Sequence, residues 1–163
     1  MPRSLSRCLL WLLIAALSGC GFRLAGTAPL PAELSRIYLV TSGFDPHQQE
    51  ALRTRLQRAG ADVGLQPAAD RVKLSVRLSS VADRRVVTSA GSGQTVTRVV
   101  RQLDYSVRGS DGQLLAPERR LTQQSDLRFD DDNLLSSSQE RDAVVEDLEK
   151  SLFEQLIRQL QSI

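Results

Sequence analysis

Few side chains in this sequence have the types and spacing needed for chemistry. His47 is the only histidine, and Cys8 and Cys20 are the only cysteines. This supply is too small for the usual zinc sites, which take three or four protein ligands. The chain also contains no Gly-x-Ser-x-Gly elbow, no phosphate-binding loop and no dinucleotide fingerprint. We therefore predict that the protein is not an enzyme, with no catalytic residue, no metal and no cofactor.

An acidic cluster, Asp130–Asp132, is the one other group that could bind a cation. No glutamate follows it at the spacing of a calcium loop. Acidic residues are also favoured before a helix, because they interact well with the positive end of the helix dipole. We interpret this segment as a solvated loop that precedes a helix.

A concentration of positive charge lies on two predicted strands that meet at the turn 91–93. Its members are Lys73, Arg77, Arg84, Arg85, Arg98 and Arg101. Arginine pairs well with phosphate, often through two parallel hydrogen bonds. The pattern therefore indicates either a phosphate-binding surface or an ordinary solvated face of a sheet.

The N-terminal residues have the pattern of an export signal. Arg3 and Arg7 precede an apolar run over residues 8–17, which is too short to span a bilayer but has the length of a signal-peptide core. The run ends in Leu17-Ser18-Gly19-Cys20, which resembles the lipobox of bacterial lipoproteins. There the cysteine sulfur receives a diacylglycerol, the chain is cut before the cysteine, and the new amine is acylated. We predict a signal peptide over residues 1–19 and lipidation at Cys20.

The composition of the remaining 144 residues argues against nucleic acid as a partner. Removal of residues 1–19 takes Arg3 and Arg7 away and leaves 19 basic and 19 acidic residues. Neither a basic excess nor a nucleic-acid-binding motif is present. Cys20 would be the single cysteine left, so no internal disulfide is expected.

The first half of this segment predicts a tether, a strand and a helix. Residues 20–31 are rich in glycine and proline and read as a lipidated tether, which leaves 32–163 as one α+β domain. Residues 36–40 are mostly apolar and predict a buried strand. Asp45 is a candidate N-cap with Gln48 at the capping-box position, and Gly60 is the expected end of that helix.

Three further strands and a long helix follow. Residues 72–79 alternate between apolar and polar, and this strand continues through 86–87 after a disturbance near residue 82; a second runs over 95–107. The last strand, 121–129, has a diluted apolar face typical of an edge. Ser137 and Glu140 form a capping box for the closing helix, whose charged face is predicted to be solvated. That face consists of Glu146, Glu149, Lys150, Glu154 and Arg158. The order β-α-β-β-β-α predicts two helices packed on one face of a mixed four-stranded sheet.

Several short motifs, in this order, are similar to the LPS-assembly lipoprotein family, LptE. They are Cys20-Gly21-Phe22-Arg23-Leu24 with Gly26 and Leu30-Pro31, the Leu56 to Gly60 helix end, Gly93-Gln94-Thr95, Asp111-Gly112, and Glu154-Gln155-Leu156-Ile157-Arg158. The resemblance covers nearly the whole mature chain. It implies an outer-membrane lipoprotein, with palmitate as the fatty acid expected on Cys20, held on the periplasmic side. Gly21, where an aspartate would favour the inner membrane, agrees with that location.

The resemblance also implies partners and a role. Members of the family sit inside the lumen of an outer-membrane β-barrel, LptD, which they plug and help to assemble, and they bind lipopolysaccharide during its final export. The basic positions proposed for that binding in the family fall here on the neutral Gly91-Ser92 and around residues 136–138. Arg84, Arg85 and Arg98 are nearby and are the candidates to replace them. The alternative is a scaffold lipoprotein of another envelope assembly machine.

Overall fold

The computed structural model describes residues 29–87, 95–129 and 134–163 of the chain. The signal segment, Cys20, the turn 91–93 and the acidic loop Asp130–Asp132 lie outside these residues. Among the described residues, no helix combines the length and the apolar character needed to cross a membrane.

After a short 3-10 helix (Ala32–Leu34), two α-helices and five strands make up the described fold. In chain order they are β1 (Arg36–Ser42), α1 (Pro46–Arg58), β2 (Asp62–Gly64), β3 (Val72–Val87), β4 (Thr95–Arg108), β5 (Leu114–Phe129) and α2 (Leu134–Leu160). The strands form one mixed sheet in the order β2-β1-β3-β4-β5. β1 pairs in parallel with β2 and β3, whereas β3, β4 and β5 are antiparallel neighbours. The predicted α+β class and the edge position of the last strand are confirmed.

The predicted count of four strands is wrong, because β2 forms a fifth. This strand is three residues long, Asp62–Gly64, and only Val63 in it is buried. Three residues are too few to show an alternating pattern, and aspartate and glycine are both disfavoured in strands. The pairing with β1 forms because the chain leaves α1 at Gly60 and returns beside the start of β1. There the Asp62 amide donates to the Ser35 carbonyl at 2.7 Å.

The first helix begins and ends where the sequence predicts. The Asp45 carboxylate accepts from the Gln48 amide at 2.8 Å, and the Gln48 side chain accepts from the Asp45 amide at 2.9 Å. This reciprocal pair satisfies two backbone donors at the helix N-terminus. At the other end Gly60 has a φ of 98°, the left-handed conformation that glycine adopts without steric cost.

The second helix begins at Leu134, three residues before the predicted cap at Ser137. The Ser137–Glu140 motif therefore lies inside the helix rather than at its start. A serine followed three residues later by a glutamate can also occur within a helix. The motif alone therefore does not locate the first turn.

Both helices pack on the same side of the sheet and share its main core. Leu52 and Leu56 of α1 and Leu152 and Leu156 of α2 are 0% exposed and belong to one buried cluster with side chains from β1, β3 and β4. Phe44, which lies just before α1, stacks on Phe153 of α2 with ring centroids 5.8 Å apart, and Arg55 of α1 lies over the same Phe153 ring. Neither of these two helices packs on the opposite side of the sheet, and the described residues place no other helix there.

Candidate functional site on the open face of the sheet

The side of β3, β4 and β5 that faces away from the helices is called the open face here. Alternation along a strand places Arg77, Asp104 and Arg120 on it as one row of register partners, and Arg84, Arg98 and Asp126 as another. Each row crosses the three strands and combines two arginines with one carboxylate. The open face is therefore a charged surface built by strand register.

In the second row, one arginine is held by the carboxylate. Arg98 donates from Nε to Asp126 Oδ1 at 2.7 Å and from Nη2 to Oδ2 at 2.8 Å. These two parallel hydrogen bonds, together with the charge attraction, raise the pKa of Arg98, and the hydrogen bonding from Arg98 lowers the pKa of Asp126. The two hydrogen bonds fix the orientation of the Arg98 guanidinium. Because the pair is partly exposed, it contributes little to the stability of the fold.

Arg84, the other arginine of that row, has no ion-pair partner among the described residues. It lies directly opposite Arg98, it is exposed, and no described residue forms an ion pair or hydrogen bond with its side chain. Like charges directly opposite each other across two strands are unfavourable, which Asp126 relieves for Arg98 but not for Arg84. Arg85 pairs in register with Thr97, one position along, and its side chain lies outside the description. The structure thus brings two of the three predicted arginines, Arg84 and Arg98, together. The predicted role of Arg85 stays a prediction.

The first row contains a buried acid. Asp104 is 7% exposed and accepts from Arg120 at 2.6 Å and 3.2 Å. The hydrogen bonds from Arg120 to Asp104 raise the pKa of Arg120. Arg77 is the register partner of Asp104 on the other side. Both rows carry the same formal charge, but here the acid lies on the central strand between two arginines, whereas Asp126 lies on the edge strand and Arg84 is separated from it by Arg98.

Arg101, the remaining arginine of the predicted cluster, lies on the helix side. Its Nε is 3.3 Å from Glu149 Oε1 of α2, close enough for an ion pair although not aligned as a hydrogen bond. Gln48 of α1 donates to the other carboxylate oxygen of Glu149 at 2.8 Å. A polar group from each helix and one from β4 therefore meet between the layers.

The prediction that Glu149 belongs to a solvated helix face is wrong. This residue is 7% exposed, and burial raises the pKa of its carboxyl group, with Gln48 and Arg101 acting against that rise. The sequence does contain a sign that Arg101 and Glu149 face the core. Arg101 lies two residues from the buried Val99 and from the buried Leu103, so all three side chains point to the same face of β4. Glu149 lies one helical turn before the buried Phe153.

The other candidates for chemistry do not converge on a site. His47 is exposed in the first turn of α1. Within the described ranges, no group of three or more histidine, cysteine, aspartate or glutamate side chains is arranged to hold a metal ion.

The fold defined by these elements occurs in several solved lipoproteins. A minor lipoprotein from Acinetobacter baumannii superposes with a TM-score of 0.61 at 17% identity, over 82% of this chain and 94% of that one. Rare lipoprotein B from Shewanella oneidensis gives 0.63 at 15% identity, over 78% and 94%. Lipoprotein B from Nitrosomonas europaea gives 0.58 at 21% identity, over 87% and 91%.

The family follows from the sequence model. The model of LptE, the lipopolysaccharide-assembly family, matches residues 35–160, and the chain belongs to this family. A search of curated proteins finds no significant match.

Proposed function

We propose that this protein is lipidated at Cys20, resides in the outer membrane, and plugs and helps to assemble an LptD-like β-barrel in the last step of lipopolysaccharide export. Family membership over residues 35–160 is the observation that carries the proposal. The lipoprotein signal at residues 17–20 supports the anchor. A role of this kind requires binding surfaces and no catalytic group.

The surface of the domain suits a position inside a barrel. The lumen of a large outer-membrane barrel is polar, so a plug must present polar side chains to it. The open face and the edge strand β5 supply them: Thr122, Gln124 and Asp126 are exposed along β5 beside the charged rows of β4. In the described part of the chain no helix covers this face, which fits a wall in contact with a hydrated lumen.

Lipopolysaccharide binding is proposed for the Arg84–Arg98 row. Lipid A carries phosphates, and Arg84, which no described carboxylate pairs with, lies opposite Arg98, whose guanidinium is held in place by Asp126. Arg85 is not part of this row, because its register partner is Thr97, which alternates with Arg98 along β4; its role stays a prediction from the sequence.

Purification of the tagged protein in detergent from its own outer membrane tests the assignment. A stoichiometric complex with a barrel of LptD type is expected on identification by mass spectrometry. Recovery of the chain with a different assembly machine, or alone under the same conditions, would overturn the partnership and favour the alternative of a scaffold lipoprotein.

A further inference from the structure

The sheet ends in two edge strands of very different length, β2 and β5. β5 is 16 residues long, and in the part of the chain that the structure describes no strand pairs with its outer side. Alternate residues of an antiparallel strand direct their amide and carbonyl groups away from the paired neighbour, which here is β4. The outer edge of β5 is therefore a row of backbone donors and acceptors with which another chain can pair, and folded proteins normally guard such edges.

Guarding features are present on β2 and on the first part of β5. β2 has three residues, and the Arg71 guanidinium donates to the Asp62 carbonyl at 2.9 Å and to the Asp62 carboxylate at 2.7 Å. Residues 114–120 of β5 include Pro117, which has no amide donor, and their pairing with β4 shifts register twice. Short length, charge, proline and irregular pairing all discourage association between edges.

Residues 121–127 of β5, called the distal edge here, lack these features. They pair with β4 without a register shift, they contain no proline, and the first five are uncharged. Leu121 and Leu127, at the two ends, are 7% and 4% exposed, so the core holds both ends of the segment in place. The distal edge is therefore a regular and preformed stretch of strand.

The charged side chains nearest to the distal edge are directed toward β4. Arg120 donates to Asp104 of β4 at 2.6 Å. Asp126 accepts two hydrogen bonds from Arg98 of β4, at 2.7 Å and 2.8 Å. Both ion pairs hold their charges over the neighbouring strand instead of beyond the sheet. These charges are therefore used within the sheet and do not guard the distal edge.

The chemistry of the distal edge specifies its ligand as an extended polypeptide. Only another backbone supplies complementary donors and acceptors at the repeat of a strand, and seven residues of strand are about 24 Å long. Thr122 and Gln124 flank the edge on the open face, and on the other side Gln123 donates to Gln155 of α2 at 3.2 Å. These neighbours are neutral and polar, so they fit a polar segment.

We propose that the distal edge binds an extended, polar segment of the barrel partner, which adds to the sheet as a strand beside β5. The segment lies inside the lumen and is not part of the wall, because both edges of a strand in a closed barrel are already paired. The added strand connects plug and barrel through backbone hydrogen bonds. This inference rests on the proposed function for the identity of the partner, and it adds the place and the mode of contact.

Residue-resolved amide hydrogen exchange on the purified complex tests the pairing. Along an unpaired edge strand, slow and fast amides alternate, because only every second residue bonds to the neighbour. We expect all amides of residues 121–127 to be slow, with the outward ones retarded at least about 100-fold relative to an unstructured peptide. Residues 114–120 of the same strand are the internal control and should keep fast amides.

Proline variants separate backbone pairing from side-chain contact. Adjacent amides of a strand point in opposite directions, so one of Gln123→Pro and Gln124→Pro removes an outward donor and the other breaks a bond to β4. Thermal unfolding identifies the outward variant as the one that keeps the fold. In its complex, the remaining outward amides should exchange at least about tenfold faster. Gln123→Ala and Gln124→Ala keep both amides and should preserve the protection.

A photo-reactive benzophenone side chain in place of Thr122 identifies the added strand. After irradiation of the complex, mass spectrometry should place its adduct in a segment of the barrel protein outside the wall strands. Ser79 belongs to the same row of the open face, two strands away, and is the matched position that should not label that segment.

Three results would overturn the inference. Alternating exchange over residues 121–127, in a complex that contains the barrel, refutes the edge pairing and leaves the proposed function standing. Uniform protection in a complex whose mass includes two copies of this chain, with Thr122 adducts between those copies, assigns the distal edge to a second copy. Recovery of the chain without a barrel removes both the proposed function and the segment that is expected to bind.

Discussion

At the scale of single residues, the arginines of the open face differ in their freedom to bind an anion. Arg98 is occupied by Asp126, whereas Arg84 is free among the described residues. A bidentate carboxylate competes with phosphate for the same guanidinium donors. In the proposed binding of lipopolysaccharide, Asp126 would compete with phosphate for Arg98, so its removal should change binding in the direction opposite to removal of an arginine.

Asp126→Asn should strengthen binding to lipopolysaccharide, and Arg84→Gln should weaken it by about three- to fivefold, the effect expected of one exposed charge. The measurement is a binding titration with purified lipopolysaccharide in detergent at low salt, because screening weakens exposed charge interactions. Asp142→Asn on α2 changes the net charge as Asp126→Asn does and is the matched control. Equal gains from Asp126→Asn and Asp142→Asn would mean that general charge, rather than release of Arg98, governs binding.

At the scale of elements, the Arg101–Glu149–Gln48 cluster joins α1, α2 and β4 in the partly buried space between the layers. Folding raises the pKa of the Glu149 carboxyl group, mainly because the group is buried. As the pH increases, the unfolded chain therefore loses the Glu149 proton at a lower pH than the folded chain does. The contribution of this group to stability is therefore largest below its ordinary pKa of 4.5 and falls as the pH rises through the folded value. Arg101 limits that loss because it stabilises the ionised carboxylate.

Arg101→Met should lower the free energy of unfolding by about 2 kcal/mol at pH 7, less than the roughly 3–5 kcal/mol for breaking a fully buried pair, since the Arg101 side chain is 18% exposed. The loss should shrink as the pH falls toward 4, where Glu149 is protonated and needs no cation. Urea denaturation at the two pH values measures this.

Two further variants control that measurement. Lys150→Met, at the exposed neighbour of Glu149, should leave stability nearly unchanged, and adding Glu149→Gln to Arg101→Met should restore much of the loss. A deficit that is the same at both pH values would attribute the effect to lost packing of the arginine stem instead of to the carboxylate.

At the scale of the whole molecule, the domain has two different ends. One end holds the Leu30–Ala59 hydrogen bond and the start of β1, and the opposite end of β3 and β4 carries the Arg84–Arg98 row. In the proposed role, the first end lies nearer to the lipid anchor and the second extends toward the lipopolysaccharide path. The length of β3 and β4 therefore separates the proposed anchor from the proposed binding surface.

Cys20→Ser should abolish both acylation and removal of residues 1–19. Intact-mass measurement of the purified protein should show lipid mass on residues 20–163 of the unaltered chain and none on this variant. Cys8→Ser, which changes the only other cysteine within the apolar run, should leave processing intact. Acylated, processed protein from the Cys20→Ser variant would contradict the assignment of the lipid site.

Patterns within one element determined much of this protein. Alternation along residues 72–79 predicted the buried face of β3, and Asp45 with Gln48 predicted the start of α1, because both depend on side chains only a few residues apart. The disturbance expected near residue 82 is the register shift between Val81 and Arg84. The family resemblance, carried by short motifs in order along the chain, was likewise available from the sequence and is confirmed over residues 35–160.

The tertiary structure alone decided what depends on contacts between distant segments. β2 is a strand because the chain returns beside β1, and three residues contain no pattern that could reveal this. Register across β4 placed Asp126 against Arg98, and the packing of the two helices on the sheet buried Glu149. Local propensity arises from neighbours in sequence, whereas pairing of charges and burial arise from neighbours in space, which only the assembled sheet and helices bring together.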